Sequence, residues 1–454
     1  MVGTKNNNMR HLNKQSKISQ VSQQLQVLFA KTSLEAEARM FGFVQRERRL
    51  GGSAFVQLCI HGVSQDGLAC SLTELCAVAL DLGIELCAQS LNERFNERGV
   101  GFIQRFFERV LDSTLGGGEK LATLKKFNGV YLQDATIYQL PERLKEVFRG
   151  SGGGGSQAAV KIDCLTDIQA GKWYLHIKDG ASADNAACLL SVPRQSLWLR
   201  DLGYFKLDDF QTIANQEAYF ASRLRSDIVL ETASEPAQSI DLLEWAQKMQ
   251  EGQIKEAQVW AGGKGHKKGP FRLIVQKVSK ELGDAKRHKL CTDKQNKRKG
   301  LTKRRLALCD LNIYLTNLDA EEWPARLVVE LYRIRWQIEI LFKVWKSILK
   351  IGKLYPMKPH RFLCLMYAQM AWALLNAKIF QFCKATCWNN EQVELSELKA
   401  FKILRKLNHR LLKALAVNTR ELYMEFFQLL FKALDSLGAK HPRKTNKNQL
   451  FCMC

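Results

Sequence analysis

Tyr332-Arg333-Ile334-Arg335-Trp336-Gln337-Ile338-Glu339-Ile340-Leu341-Phe342-Lys343-Val344-Trp345-Lys346 reads as a helix with one chemically loaded face. At about 100° per residue, Tyr332, Arg335, Glu339 and Lys346 fall within an arc of about 60°. Packing gives a surface helix no reason to align a phenol, a guanidinium, a carboxylate and an ammonium. Arginine grips phosphate oxygens as a fork and lysine as a point charge, and Glu339 between them can hold a divalent cation. The face points to metal-assisted chemistry on nucleic-acid phosphodiesters.

Such chemistry needs further acids. A phosphodiester is shielded by its own charge, and two divalent ions about 3.5 to 4 Å apart can activate the attacking oxygen and stabilise the leaving one. Val130-Tyr131-Leu132-Gln133-Asp134 is an apolar run ending in an acid, as expected at the mouth of a buried first strand. Leu197-Trp198-Leu199-Arg200-Asp201-Leu202-Gly203 repeats the arrangement, with a glycine to let the chain turn closely past a site. A structural turn aspartate looks similar. Asp163, Asp167, Asp179, Asp184, Asp208 and Asp209 rank lower because they fall mid-strand, in turns or at helix starts. With three carboxylates the hard oxygen ligands favour Mg²⁺, with Mn²⁺ as substitute.

Composition agrees with a polyanionic partner. Lys and Arg number 68 against 45 acids, a net charge of +23 over 454 residues. Residues 260–305 alone hold 16 basic against 3 acidic side chains. The thirteen cysteines show no Cys-x2-Cys pairing, and most read as small buried hydrophobes in a reducing cytoplasm; only Cys452 and Cys454 in the tail put two thiols close together. Residues 1–17 are polar, with no secretory core. Phe362–Ala377 is charge-free but short of the roughly 20 residues that span a bilayer, so it reads as a buried helix and no membrane partner is expected.

The chain divides into five parts: an unstructured basic arm (1–17), a helical DNA-binding domain (18–118), a catalytic core in two pieces (119–227 and 311–380), a basic strand-rich insertion (228–310), and a helical region with a Lys-rich tail (381–454). In the second part, Ser71-Leu72-Thr73-Glu74 is a capping-box pattern opening a helix to Leu82. A second helix over Glu85–Asn96 makes either a helix-turn-helix offering Gln89, Ser90, Asn92 and Arg94 to a groove, or an ordinary helical hairpin. Strands are expected at Gly129–Gln133, Val160–Thr166, Trp173–Lys178, Ser196–Arg200 and Ala218–Arg223, with a helix near Ala183–Leu190. Gly150 to Ser156 lacks the Gly-Lys-Ser/Thr ending of a phosphate loop and reads as a flexible connection between the first two strands. Arg223 and Arg225, with the basic insertion, are candidate DNA-backbone contacts.

The spacing Tyr332-x2-Arg335-x3-Glu339-x6-Lys346 resembles the signature helix of bacterial cut-and-paste transposases of the insertion sequence four family. Asp134-Ala-Thr-Ile-Tyr-Gln-Leu-Pro141 and Asp201-Leu-Gly-Tyr-Phe-Lys-Leu-Asp-Asp-Phe210 are similar to the family's segments around its two aspartates. The resemblance implies an α/β, ribonuclease-H-like catalytic core with a β-rich insertion, preceded by an all-α DNA-binding domain and followed by helices. It assigns Asp134, Asp201 and Glu339 to a two-ion metal site, and Tyr332, Arg335 and Lys346 to phosphates beside the cleavage point. It implies double-stranded DNA partners (element ends and target), a hairpin intermediate, a dimer in the DNA complex, and a bacterial cytoplasmic, nucleoid-associated setting. Two other readings stay open at this level: a nuclease or resolvase that cuts without joining, and a non-catalytic DNA-binding regulator.

Overall fold

The structure, a computed structural model, describes residues 2–46, 50–113, 115, 122–150, 157–170, 172–182, 192–263, 265–292, 302–335 and 357–440. Among the described residues six helices come first: α1 (Val2–Leu28), α2 (Lys31–Met40), α3 (Gly52–Asp66), α4 (Leu72–Asp81), α5 (Ala88–Arg94) and α6 (Glu97–Asp112). The capping box is formed: the Ser71 side chain accepts from the Glu74 amide, and the Glu74 side chain accepts from the Ser71 amide. Gly83 then turns the chain at φ +75°, a conformation that costs glycine little. Arg94 is not offered to a groove. Its guanidinium lies 4.1 Å from the centre of the Phe43 ring and donates to the Leu50 carbonyl.

Nine strands follow among the described residues: β1 (Val130–Leu140), β2 (Ala158–Asp167), β3 (Lys172–Asp179), β4 (Leu197–Arg200), β5 (Tyr219–Arg223), β6 (Leu230–Thr232), β7 (Ile254–Ala261), β8 (Lys268–Lys277) and β9 (Leu311–Thr316). They form one mixed sheet in the order β3-β2-β1-β4-β5-β9-β8-β7-β6. β1 is antiparallel to β2 and parallel to β4, and β4 is parallel to β5. β2 is buried along its whole length, as a strand covered on both faces must be, whereas β3 at the sheet edge is mostly half-exposed. The five expected strands are thus present, with β1 running seven residues further than its sequence pattern suggested. The expected helix near residues 183–190 and the glycine run 151–156 lie outside the described residues.

The stretch read as a strand-rich insertion is mixed. β6, β7 and β8 extend the same sheet through β9, alternating with α8 (Leu242–Lys248), α9 (Lys280–Thr292) and α10 (Lys303–Ala307). Phe271-Arg272-Leu273-Ile274-Val275 is buried throughout, and Arg272 donates to the carbonyls of Leu318, Asp319 and Trp323. This arginine therefore ties the inserted strands to the core instead of contributing surface charge. α7 (Leu207–Asn215) links β4 to β5, and α11 (Ala325–Ile334) follows β9.

The remaining helices among the described residues are α12 (Pro359–Glu391), α13 (Glu397–Lys406), α14 (Asn408–Val417) and α15 (Arg420–Leu437). By length and composition α12 is apolar enough to cross a membrane, but 89% of its apolar window is buried inside the protein, where α3 and α6 pack on it. A helix apolar on all sides can serve as the core of a bundle. One continuous core joins α1–α6, one face of the sheet and α11–α15, and a second, on the opposite face, joins α7, α8 and the inserted strands. The N-terminal helices therefore share their core with the C-terminal ones. Residues 2–17 of the segment read as an unstructured arm belong to α1, and Lys14 pairs with Glu391 at 2.9 Å and Asp435 at 3.3 Å. A polar sequence does not reveal that distant acids will receive it.

Candidate active site

Gln133 and Arg200 are register partners across the parallel β1–β4 ladder, so the residues that follow them, Asp134 and Asp201, leave adjacent strands at the same level. β4 stops at Arg200, while β1 continues to Leu140 in register with β2, where Asp134 lies opposite Cys164. Asp134 thus sits inside a strand and not at its mouth. It is reachable because its β4 neighbour has ended. The two carboxylate side chains are 19% and 34% exposed, open enough to meet a ligand. Gly203 lies in a short 3-10 turn, Leu202–Tyr204, that uses no left-handed backbone, so the close turn expected of it is not a glycine effect.

α11 brings Tyr332 and Arg335 to the same place. Nη1 of Arg335 is 4.0 Å from Oδ2 of Asp134, and Nη2 is 3.7 Å from Oδ1 of Asp201. One nearly buried guanidinium therefore reaches both acids. The Tyr332 hydroxyl donates to the Arg200 carbonyl at 3.2 Å, and its ring meets Tyr314 edge-on at 5.2 Å. Burial pushes the phenol well above its ordinary pKa, so it stays protonated and acts as a donor. Expected among the phosphate contacts, Tyr332 is 5% exposed and braces α11 against the end of β4. Glu339 and Lys346, the other two members of the sequence face, lie outside the described residues.

Four of the rival acids have structural partners. Asp167 accepts from the amides of Val130, Gln169 and Ala170. Asp163 accepts from the Tyr204 hydroxyl at 2.8 Å and lies 3.6 Å from Lys178. Asp208 pairs with Lys268 and Asp209 with Arg200, while Asp184 lies outside the described residues. Arg223 ends β5, half-buried and opposite Tyr314 of β9. Arg225 is exposed and held by Asp227 in a two-pronged pair, Nε–Oδ1 3.0 Å and Nη2–Oδ2 2.5 Å.

Sequence reasoning passed over Arg200. It is 1% exposed, donating from Nη1 to Asp209 at 2.7 Å and from Nη2 to Gln133 at 3.2 Å. The signal was available: each acid is preceded by a polar residue at the end of an otherwise apolar run.

Residues 125–375 match the family described as the transposase DDE domain. The chain belongs to this family. The matched span holds both aspartates and the whole Tyr332–Lys346 face. Relatives agree along nearly the full length. The transposase for insertion sequence element IS231E of Bacillus thuringiensis subsp. finitimus is 27% identical, covering 96% of this chain and 95% of the relative. That for IS231B of Bacillus thuringiensis subsp. berliner is 29% identical, covering 91% and 90%. That for IS1151 of Clostridium perfringens is 28% identical over 85% of each. The chain is a DDE-type transposase of the insertion sequence four type, and family membership carries DNA binding and dependence on a divalent metal.

The residues present suit a hard cation. Asp134 and Asp201 offer oxygen donors only, and the site already draws the Arg335 cation toward both. Among the described residues no cluster of three metal-ligating side chains is gathered, and the expected third acid, Glu339, is outside them.

Proposed function

We propose that this transposase binds the ends of its insertion sequence, cuts the DNA there, and joins the freed 3′ ends to target DNA. The observation that carries the reading is the meeting of Asp134 and Asp201 at the β1–β4 register, under one arginine from the signature helix. The strand order β3-β2-β1-β4-β5 and its directions support a ribonuclease-H-like core, with β6–β8 and the helices among them as the insertion. Asp134, Asp201 and Glu339 would hold two Mg²⁺ ions, for which Mn²⁺ can substitute. When bound, the ions would polarise the phosphodiester and lower the pKa of the attacking water or 3′ hydroxyl.

The chain's own residues do the rest. Tyr332 fixes the signature helix against β4, and Arg335 and Lys346 position phosphate oxygens beside the acids. Arg335 is suited to change partners, since 3.7 and 4.0 Å are long for charge-assisted hydrogen bonds. Arg223 and Arg225 contact the DNA backbone, helped by the basic insertion. Residues 18–118 supply DNA recognition on a core shared with the C-terminal helices. Two ends must be cut in concert, so the working complex contains two copies of the chain. We place it in the bacterial cytoplasm at the nucleoid, with α12 as a core helix and no membrane partner.

The test is incubation of the purified protein with Mg²⁺, labelled DNA carrying the element ends, and a supercoiled target, beside Glu339→Gln. Metal-dependent end cleavage with joined products, absent from the variant, supports the reading. Cleavage without joining would make the protein a nuclease, and binding without cleavage a regulator.

A further inference from the structure

Beneath the two aspartates, on the opposite face of the sheet, lies a buried polar chain whose chemistry the reaction does not itself use. Side chains alternate faces along a strand, so Gln133 and Arg200 point away from Asp134 and Asp201, which follow them. Both are 1% exposed. Arg200 donates to Gln133 on β1 at 3.2 Å and to Asp209 in the first turn of α7 at 2.7 Å. Its guanidinium lies 5.7 Å from the centre of the Tyr204 ring, and the Tyr204 hydroxyl donates to Asp163 on β2. On the other side of the backbone, the Arg200 carbonyl accepts from Tyr332 of the signature helix.

A buried ion pair is a poor way to gain stability, because desolvation offsets most of the attraction. Here it ends a strand of only four residues, and two acids at a defined spacing depend on that end. From this placement we infer that Arg200 is a positioning residue for the metal-binding carboxylates. It locks the end of β4 to β1 and α7, and so sets the separation of Asp134 and Asp201. The inference rests on the reading of those two aspartates as metal ligands.

The test compares the full-length parent with Arg200→Met/Asp209→Leu, which removes both buried charges together, and with the milder Gln133→Met. Asp134→Asn/Asp201→Asn serves as the control for the site itself. Thermal unfolding without metal reports folding, Mn²⁺ titration followed by electron paramagnetic resonance reports the site, and end cleavage reports the reaction. Partners that orient metal ligands are typically worth 10- to 100-fold in metal affinity or activity. We expect the double variant to unfold within a few degrees of the parent while losing Mn²⁺ affinity by about 10-fold or more. Gln133→Met should lose less, in the same direction. Parent-like Mn²⁺ affinity and cleavage in the double variant, or in Gln133→Met should the double variant not fold, would overturn the inference alone. If the parent binds no Mn²⁺, or the aspartate control binds it as tightly as the parent, the aspartate assignment falls and the inference with it.

Discussion

The Tyr332 hydroxyl donates to the backbone carbonyl of Arg200 at 3.2 Å, fastening the signature helix to the residue before Asp201. A residue whose spacing suggests phosphate contact thus braces the protein against itself. Tyr332→Phe should leave that carbonyl unsatisfied in a buried setting, at about 1 to 3 kcal/mol. Urea unfolding should show the loss, and cleavage should slow while end binding keeps its salt dependence. If binding instead loses about one unit of salt slope, the phenol has been facing DNA.

Asparagine at the two kinds of acid should separate chemistry from scaffold. Asp134→Asn is expected to reduce end cleavage by about 100-fold or more while changing stability little, because its carboxylate is partly exposed at the site. Asp163→Asn should act the other way. Its buried carboxylate holds Tyr204 and Lys178, so unfolding free energy should fall by about 1 to 3 kcal/mol. Cleavage by properly folded Asp163→Asn should stay near the parent's; a complete loss there would promote Asp163 to the site.

Salt titrations of end binding should distinguish Arg223, which ends β5, from Arg225 just beyond it. Arg223→Ala should reduce the slope of log affinity against log salt by about 0.9, the value for one lost phosphate contact. Arg225 is already neutralised by Asp227, so Asp227→Ala should free it and strengthen binding at low salt. An unchanged affinity in Asp227→Ala would remove Arg225 from the interface.

Lys378 closes the end of α6 from within α12, donating to the carbonyls of Val110 at 2.7 Å, Leu111 at 2.9 Å and Ser113. Burial pushes its pKa down to about 8. Unfolded lysine titrates near 10.4, so between these values the unfolded chain binds more protons and this group's contribution to stability rises with pH. Its unfavourable effect is full below about pH 8 and relieved as pH passes about 10.4. Lys378→Met should remove that rise from the difference between parent and variant. The variant should also fray α6 at its last turn, measurable as faster amide exchange there.

Local pattern in the chain suffices to propose the site. Of the face that helical spacing predicts, Arg335 reaches both aspartates and Tyr332 the Arg200 carbonyl, while Glu339 and Lys346 lie outside the described residues. The capping box at Ser71 is equally local and is formed as written. Asp134, the proposed metal ligand, differs from its sequence reading in one respect: its apolar run does not end the strand, so the mid-strand position that ranks its rivals lower describes Asp134 too. Exposure there depends on where β4 stops, which no inspection of β1 can reveal. The polar opening of α1 likewise gave no hint of Glu391 and Asp435, hundreds of residues away.

What the sequence determines by itself is therefore the proposed chemistry: the candidate acids, the candidate phosphate-binding side chains, their spacing, and a net charge suited to DNA. The tertiary structure decided which aspartates stand together, that Tyr332 is a brace, that Arg225 is already paired, and that inserted strands and core make one sheet. The reason is physical. Propensity and periodicity act over a few residues, whereas register, burial and ion pairing are settled by partners that only folding brings near.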